Sequence, residues 1–323
     1  VPSKRLGRSL GIDPVPFKTC NWNCVYCQLG RTTPLTNERR EYVPAGEIVA
    51  QVKDALRTHK PGEIDWVTFI GSGEPTLHSS LGWMIRQVKA ITVIPVAVIT
   101  NGALLYRPEV REELMAADAV LPSLDAGTAG LHQAINRPWP ECTFERLVEG
   151  LVAFRRDYQG RLWVEVMLVK GVKGLNDDEA ALKGIAAVLS RIAPDEVHIS
   201  VPLRPPAEPW VDPPDEDGLI RATAILGNTA RVVSSASGTF DLSGFDNTVD
   251  AVIAVISRHP MEEEELMRTL CRWTPGQVGK TLVKLAASDQ AQVVIRHSRR
   301  FWSYAKARYE ERSARKPDRA AQS

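Results

Sequence analysis

Cys20, Cys24 and Cys27 stand within one short segment in the spacing CxxxCxxC. A loop of that length can wrap three thiolates around one inorganic cluster, and clustered cysteines of this kind hold iron–sulfur centres. In a [4Fe–4S] cube, three local thiolates leave one iron open to a cofactor or substrate. The alternatives are a structural zinc site and three unrelated thiols. Structural zinc takes four closed protein ligands, and no histidine lies in the loop, His59 being the nearest in sequence. A purely electron-transferring ferredoxin would also want four. Cys142 and Cys271 are isolated, so neither defines a second cluster.

Such a loop needs a scaffold, and the flanking pattern supplies one. Strand-like runs at Trp66–Ile70, Val96–Thr100, Ala119–Leu121, Val164–Val169 and Val197–Val201 are separated by helix-like stretches at Ala45–Arg57, Ser80–Ala90, Glu109–Ala117, Phe144–Arg156 and Asp177–Ser190. That alternation predicts an α/β fold of parallel strands with crossover helices. A first strand over Ser9–Asp13 makes the cysteine segment the loop leaving it. In a barrel or partial barrel this is the face where strand C-terminal ends carry the chemistry. On the same face fall Gly71-Ser72-Gly73-Glu74-Pro75, Thr100-Asn101-Gly102, Ser123-Leu124-Asp125 and Lys170-Gly171. Read singly, these are an ordinary turn, a loop start and, for Asp125, a helix N-cap. Their shared face with the cysteines favours a functional role for Gly73 and Glu74 and leaves Asn101, Ser123 and Asp125 open between the two readings.

With Tyr26 in the aromatic position of CxxxCx(aromatic)C, the chain resembles the radical SAM superfamily from Gly7 to Pro206. Ser9-Leu10-Gly11-Ile12-Asp13-Pro14 with Cys27-Gln28-Leu29-Gly30 is similar to the subgroup of molybdenum-cofactor and wyosine-tRNA biosynthetic enzymes. It departs from the former in lacking a C-terminal cysteine set and from the latter in having no cysteine within Val1–Thr19. The resemblance implies a partial (β/α)6 TIM-like barrel holding one [4Fe–4S] cluster on Cys20, Cys24 and Cys27. It further implies S-adenosylmethionine on the open iron, a low-potential flavodoxin- or ferredoxin-like electron donor, and a 5′-deoxyadenosyl radical that abstracts substrate hydrogen. Gly71, Ser72, Gly73 and Glu74 resemble the family's Gly-Gly-Glu motif, which meets the methionyl ammonium, although Ser72 stands where glycine is frequent. The same resemblance places Asn101, Ser123 and Asp125 near ribose or the methionine carboxylate, and the backbone of Tyr26 near adenine. Lys170, Asn136 and Arg137 are expected to face the lumen; Arg137, before Pro138, reads equally as a surface turn residue.

Around Leu203–Pro209 and Pro213-Pro214 the pattern breaks into a Pro-rich stretch, the signature of a stiff connection. The expected organisation is a core over 1–245 with this extension, a small winged-helix-like domain over 246–305, and a polar, disordered tail over 306–323. Within the small domain the reading is Val249–Ser257, Met261–Leu270 and Pro275–Ala286 as helices, followed by a hairpin of Ala291–Arg296 and Phe301–Tyr304. Thr274-Pro275 supplies an N-cap and an N1 proline. Lys280 and Lys284 share a helix face, Arg272 and Arg296 are candidates to join them, and the segment from Arg299 onward carries eight Lys/Arg against three acids. These features suit RNA, or a protein or peptide partner; they equally suit a solvated face and a solubilising tail.

Composition bounds the rest. The 323 residues are 44% hydrophobic, which excludes a disordered class, and a net charge of +1 argues against a globally electrostatic nucleic-acid binder. No run approaches the roughly 18 apolar residues of a membrane span, and Val1-Pro2-Ser3-Lys4-Arg5 lacks a signal peptide's apolar core. Five cysteines make a poor disulfide framework, so a cytoplasmic, reducing compartment is expected. Three function classes follow: a radical enzyme acting on RNA or another macromolecule, the same chemistry on a small molecule or peptide, and a non-enzymatic iron–sulfur redox sensor that binds DNA.

Overall fold

The computed structural model describes residues 2–3, 5–171, 174–233, 240–242 and 244–310. Its main sheet contains β1 (Pro2–Ser3), β2 (Gly7–Ile12), β3 (Trp66–Phe69), β4 (Val96–Thr100), β5 (Ala119–Pro122), β6 (Arg161–Met167), β7 (Glu196–Ser200) and β8 (Ala230–Val232), paired in chain order. β2 to β8 are parallel and β1 turns back antiparallel onto β2. The last strand does not pair with the first, so the sheet is a curled, open half-barrel. Between the strands run α1 (Ala45–Thr58), α2 (Leu81–Ile91), α3 (Pro108–Leu114), α4 (Ala129–Ile135), α5 (Phe144–Asp157), α6 (Glu179–Ile192) and α7 (Glu216–Leu226).

Strand alternation sorts the side chains. Val67, Phe69, Val96, Val98, Val164, Val166, Val197 and Ile199 join the core with Leu81, Ile85 and Val88 of α2, Leu147, Leu151 and Phe154 of α5, and Leu182, Ile185 and Leu189 of α6. Ala97, Ala119, Leu121 and Trp163 form a separate cluster with Leu6, from the turn between β1 and β2. The N-terminal turn therefore packs against the sheet face that the helices leave uncovered.

The predicted α/β half-barrel is what forms, with shifts that have local causes. β6 begins at Arg161, ahead of the expected Val164, because the hydrophobic window misses a strand that opens on a charged residue. The sheet extends to β8 beyond the Pro-rich stretch, and α7 starts there on the Asp215 side chain, which caps Gly218 N–H at 2.9 Å. α4 is likewise new, its cap being Thr128 rather than Asp125.

After the barrel come α8 (Thr248–Ile256), β9 (Met261–Glu262), α9 (Glu263–Thr269), α10 (Pro275–Ala287), β10 (Ala291–Arg296) and β11 (Arg299–Tyr304). β10 and β11 form a hairpin, and β9 adds to β11. The helix expected from Met261 starts two residues later because Met261 and Glu262 extend to pair with Trp302 and Phe301. Val252, Val255 and Ile256 of α8, Leu266 of α9, and Val278, Leu282 and Leu285 of α10 fall at helical spacing and build a core of their own with Trp302. Thr274 and Gln277 close a reciprocal capping box at the start of α10.

The tail expected to fray from Lys306 does not do so over its first five residues. Arg308 bridges Gly30 of the cysteine loop, Arg31 N–H donates to Arg308 O at 2.6 Å, and Glu310 N–H donates to Ala207 O at 3.2 Å. The remainder of that expected tail, 311–323, lies outside the described residues.

Candidate cofactor site at the cysteine loop

The cysteine loop leaves β2 and is fastened on three sides. Asn23 N–H donates to Asn136 O at 3.0 Å and Val25 N–H to Ile135 O at 2.9 Å, which fixes one edge to the end of α4. Glu208 N–H donates to Val25 O at 3.0 Å, and Trp22 and Val25 are buried beneath the loop. Cys20, Cys24 and Cys27 are each half-buried, and all three are free thiols.

Gly71, Ser72, Gly73 and Glu74 form the turn after β3, directly beside this loop. Ser72 N–H and Oγ both donate to Asp13, the hydroxyl at 2.7 Å, so Ser72 pins the turn to the end of β2. A Cβ on Gly73 would lie 2.0 Å from Thr19 O. The close approach that requires glycine here is thus to the chain's own backbone, one residue before Cys20, and Glu74 N–H donates to the same carbonyl at 2.9 Å. The Glu74 side chain is buried. Its Oε1 accepts from Thr76 N–H, Thr76 Oγ1 and Thr100 Oγ1 at 2.9, 2.6 and 2.6 Å, while Oε2 accepts from Asn101 N–H at 2.7 Å. Burial raises the Glu74 carboxyl above the usual carboxylate range, and these donors pull it only part of the way back. An ammonium group meeting Oε2 would relieve that penalty.

Asn101 joins the two motifs. Its side-chain amide donates to Asn21 Oδ1 at 2.7 Å and lies 3.8 Å from Cys20 Sγ. Ser123 is half-buried at the end of β5, where it bridges Glu165. Asp125 is buried and fully engaged: Tyr26 OH and Asn136 Nδ2 donate to Oδ2 at 2.5 and 2.7 Å, and Met167 N–H donates to Oδ1 at 2.8 Å. Burial lifts Asp125 to about 6 against the pull of these donors. The Tyr26 ring therefore points inward as an anchor of the loop.

The donor set suits a polynuclear cationic cluster. Burial pushes Cys20 up to about 12. Burial, then the neighbouring Cys20 and Cys27, pushes Cys24 well above a free thiol. Cys20 and Cys24 shed their protons only around strong positive charge, which iron supplies. Among the described residues no group of three or more His, Cys, Asp or Glu converges as a site for a single metal ion. A cube places its thiolates on separate corners and makes no such demand.

The other residues expected at the site divide. Asn136 does reach it, its amide 3.8 Å from Cys24 Sγ. Lys170 turns away to an exposed ion pair with Asp215, and Arg137 pairs with Glu208. Arg296, its side chain largely buried, is committed to Arg204 O and Val211 O, whereas Arg272 donates to Leu242 O and Phe245 O and stays exposed. Two residues at the site, Glu208 and Lys18, carry no signal in the sequence. Glu208 lies in the Pro-rich stretch, where composition speaks only of stiffness, and Lys18 precedes the motif with no pattern of its own.

The model of the radical SAM superfamily matches residues 15–182, which include Cys20, Cys24, Cys27, Gly71, Ser72, Gly73, Glu74, Asn101, Ser123 and Asp125. A UPF0026 protein of Methanocaldococcus jannaschii is 34% identical over 274 residues, 84% of this chain and 84% of that one. A protein named GTPase Obg from Brachyspira hyodysenteriae is 46% identical over 199 residues, 62% of this chain. The chain spans only 28% of that protein's length, and what its name says of GTP stays with it. Among solved structures, TYW1 with a lysine-pyruvate adduct bound is similar at 18% identity and a TM-score of 0.49, over 68% of this chain and 72% of that one. No helix among the described residues is long and apolar enough to cross a membrane. With the family match spanning the cysteine loop and the strand ends around it, and a relative aligned over most of both chains, this protein belongs to the radical SAM superfamily, enzymes whose cofactors are a [4Fe–4S] cluster and S-adenosylmethionine.

Proposed function

We propose that Cys20, Cys24 and Cys27 are the protein ligands of the cluster, that Glu74 Oε2 receives the methionyl ammonium, and that the substrate is RNA presented by the unit at 246–305. The observation carrying the first two assignments is Asn101, whose backbone N–H holds Glu74 Oε2 at 2.7 Å while its side-chain amide lies 3.8 Å from Cys20 Sγ. One residue thereby sets the carboxylate beside the thiol. When bound, the cluster and S-adenosylmethionine supply a one-electron C–S cleavage that yields methionine and a 5′-deoxyadenosyl radical, the electron coming from an external reductant.

The chain's own residues position and shield. Thr76 and Thr100 fix the Glu74 carboxylate from one side and leave Oε2 with acceptor capacity. Asn101 and Asn136 bring N–H groups beside Cys20 and Cys24. Trp22 and Val25, both buried, close the loop's underside to water that would otherwise reach a reactive radical. Ser123 is the strand-end hydroxyl available to ribose or carboxylate; Asp125 serves by anchoring Tyr26.

Support for the substrate class is in the small unit. The order α8, β9, α9, α10 and the β10–β11 hairpin is compatible with the winged-helix reading of this unit. Lys280 and Lys284 of α10 are exposed, with Val283 open beside them. Family membership favours an enzyme over the redox regulator, and a cytoplasmic location suits the reduced thiols.

Anaerobic reconstitution with iron and sulfide, followed by reduction in the presence of S-adenosylmethionine, tests the chemistry. 5′-Deoxyadenosine is expected from wild type and not from Cys24→Ala; equal formation by both would end the ligand assignment. RNA retention by wild type should weaken in Lys280→Glu/Lys284→Glu and fall with rising salt. Retention indifferent to both would redirect the search to small molecules and peptides.

A further inference from the structure

Lys18 occupies a backbone conformation that non-glycine residues seldom take, with φ of +61°. The conformation is held from both sides: Lys18 N–H donates to Ser72 O at 2.7 Å, and Thr19 N–H to Pro16 O at 3.0 Å. Such strain persists only where surrounding structure enforces it. Its result is that the Lys18 side chain folds back over the cysteine loop. There the ammonium donates to Cys27 Sγ at 3.1 Å and to Gly30 O at 2.8 Å. Among the described residues it pairs with no carboxylate. The cation is directed at sulfur and at the carbonyl of the turn that follows it.

From this geometry we infer that Lys18 is a positioning residue that raises the reduction potential of the cluster by donating a charged N–H···S hydrogen bond to the Cys27 ligand. The inference rests on Cys27 being a cluster ligand, as proposed above. The physical argument is electrostatic. Reduction adds one negative charge to the cluster and its thiolates, and a fixed cation in contact with one sulfur stabilises the more negative state. Hydrogen bonds to the sulfurs and local charge are among the levers that set iron–sulfur potentials. Neutral donors face the other two sulfurs, the Asn101 and Asn136 amides at 3.8 Å and Trp22 N–H at 3.4 Å from Cys20, so among the described residues Lys18 gives Cys27 the one charged donor of the three. A cluster too hard to reduce would sit oxidised in contact with its cofactor, so a cation at this point makes the enzyme easier to arm.

The test is an EPR-monitored redox titration of the reconstituted protein, wild type against Lys18→Met, Lys18→Gln and Lys18→Arg, with iron content measured on each. The midpoint is expected to move to more negative potential in Lys18→Met by at least about tenfold in the reduced-to-oxidised ratio, 59 mV for one electron. Lys18→Gln, which keeps an N–H and loses the charge, should fall between, and Lys18→Arg should restore most of the wild-type value. If Lys18→Met does not retain iron, the Gln and Arg variants carry the comparison. Equal midpoints across iron-loaded variants would overturn the inference and leave the ligand assignment standing. A lysine that merely braces the Gly30 turn would change iron retention without moving the potential, which also overturns it. If Cys27→Ala retains a cluster like that of wild type, the ligand assignment fails and the inference fails with it.

Discussion

The Tyr26 hydroxyl donates a 2.5 Å hydrogen bond to Asp125 Oδ2, tying the middle of the cysteine loop to the end of β5. Because Asn136 Nδ2 and Met167 N–H donate to the same carboxylate, one buried side chain joins the loop, α4, β5 and β6. Removing a donor differs from removing the acceptor. Tyr26→Phe leaves Asp125 with two partners and should cost about 1–2 kcal/mol. Asp125→Ala strands the Tyr26 hydroxyl, the Asn136 amide and the Met167 N–H together and should cost about 3 kcal/mol or more. Denaturant midpoints with iron retained after gel filtration check the order. Asp125→Ala equal to or milder than Tyr26→Phe would refute the hub.

Gly73 gives a second prediction. A Cβ there meets Thr19 O at 2.0 Å, with the Thr19 carbonyl carbon at 2.8 Å, both backbone atoms. Neither can yield without moving Cys20, so Gly73→Ala should lower iron and sulfide per chain several-fold while the β10–β11 unit keeps its fold. Gly276 is the control, since a Cβ there meets nothing within 4 Å. Gly276→Ala in helix α10 should leave iron content unchanged and add up to about 1 kcal/mol of stability. Equal iron loss in both alanine variants would show that the loss is unspecific.

These two cases mark what is legible in the sequence. Cysteine spacing and strand-end turns are local patterns, so Cys20, Cys24, Cys27, Gly73 and Glu74 can be placed on one face from the chain alone. The partners of Asp125 are distant in sequence: Tyr26 lies 99 positions away and Met167 42. No window holds both, and a helix cap is an equally good local reading. α7 is hidden by the prolines before it. Arg296 reads as surface charge because composition cannot say whether a guanidinium reaches solvent or a carbonyl. The ordered start of the tail escapes for a related reason: Lys306–Glu310 is polar in its side chains, but its backbone does the pairing.

Glu208 supplies a pH prediction. Burial opposes its ionisation, but two 2.9 Å hydrogen bonds from Arg31, then Glu310 and Arg137, outweigh that and hold the carboxyl below its usual 4.5. A depressed folded-state pKa contributes stability that is complete above the unfolded value and is lost as pH falls through the folded one. Glu310 is raised, chiefly by Glu208, and works in the opposite sense. It is half exposed, so Glu208 sets the trend. Glu208→Gln should therefore cost about 3 kcal/mol near neutrality, where it leaves Arg31 and Arg137 without their buried partner. The gap between wild type and variant should shrink steadily below about pH 4.5. Urea midpoints measured from about pH 3 to about pH 7 decide it, and a pH-independent gap would remove Glu208 as the source.

The contact between Gly30 and Arg308 yields the last prediction. Gly30 has φ of +77°, and a Cβ there would lie 2.4 Å from Arg308 O and 2.6 Å from Arg308 N. Gly30→Ala should lift residues 306–310 off the loop while the hairpin, whose core rests on Trp302, stays folded. Tyr309 holds the same segment by its hydroxyl, which donates to Gln28 O at 2.6 Å and lies 2.9 Å from Ser303 Oγ, so Tyr309→Phe should loosen it less, by about 1 kcal/mol. Trypsin cleavage after Lys306 and Arg308 reads the release directly: fastest in Gly30→Ala, intermediate in Tyr309→Phe, slowest in wild type. Equal cleavage rates would mean that the Arg308 backbone contact does not hold the segment. Gly30 N–H also donates to Cys27 O at 3.0 Å, so the freed loop should lose its cluster to air faster in the same order. Release of the segment without faster cluster loss would separate the strap from the loop it covers.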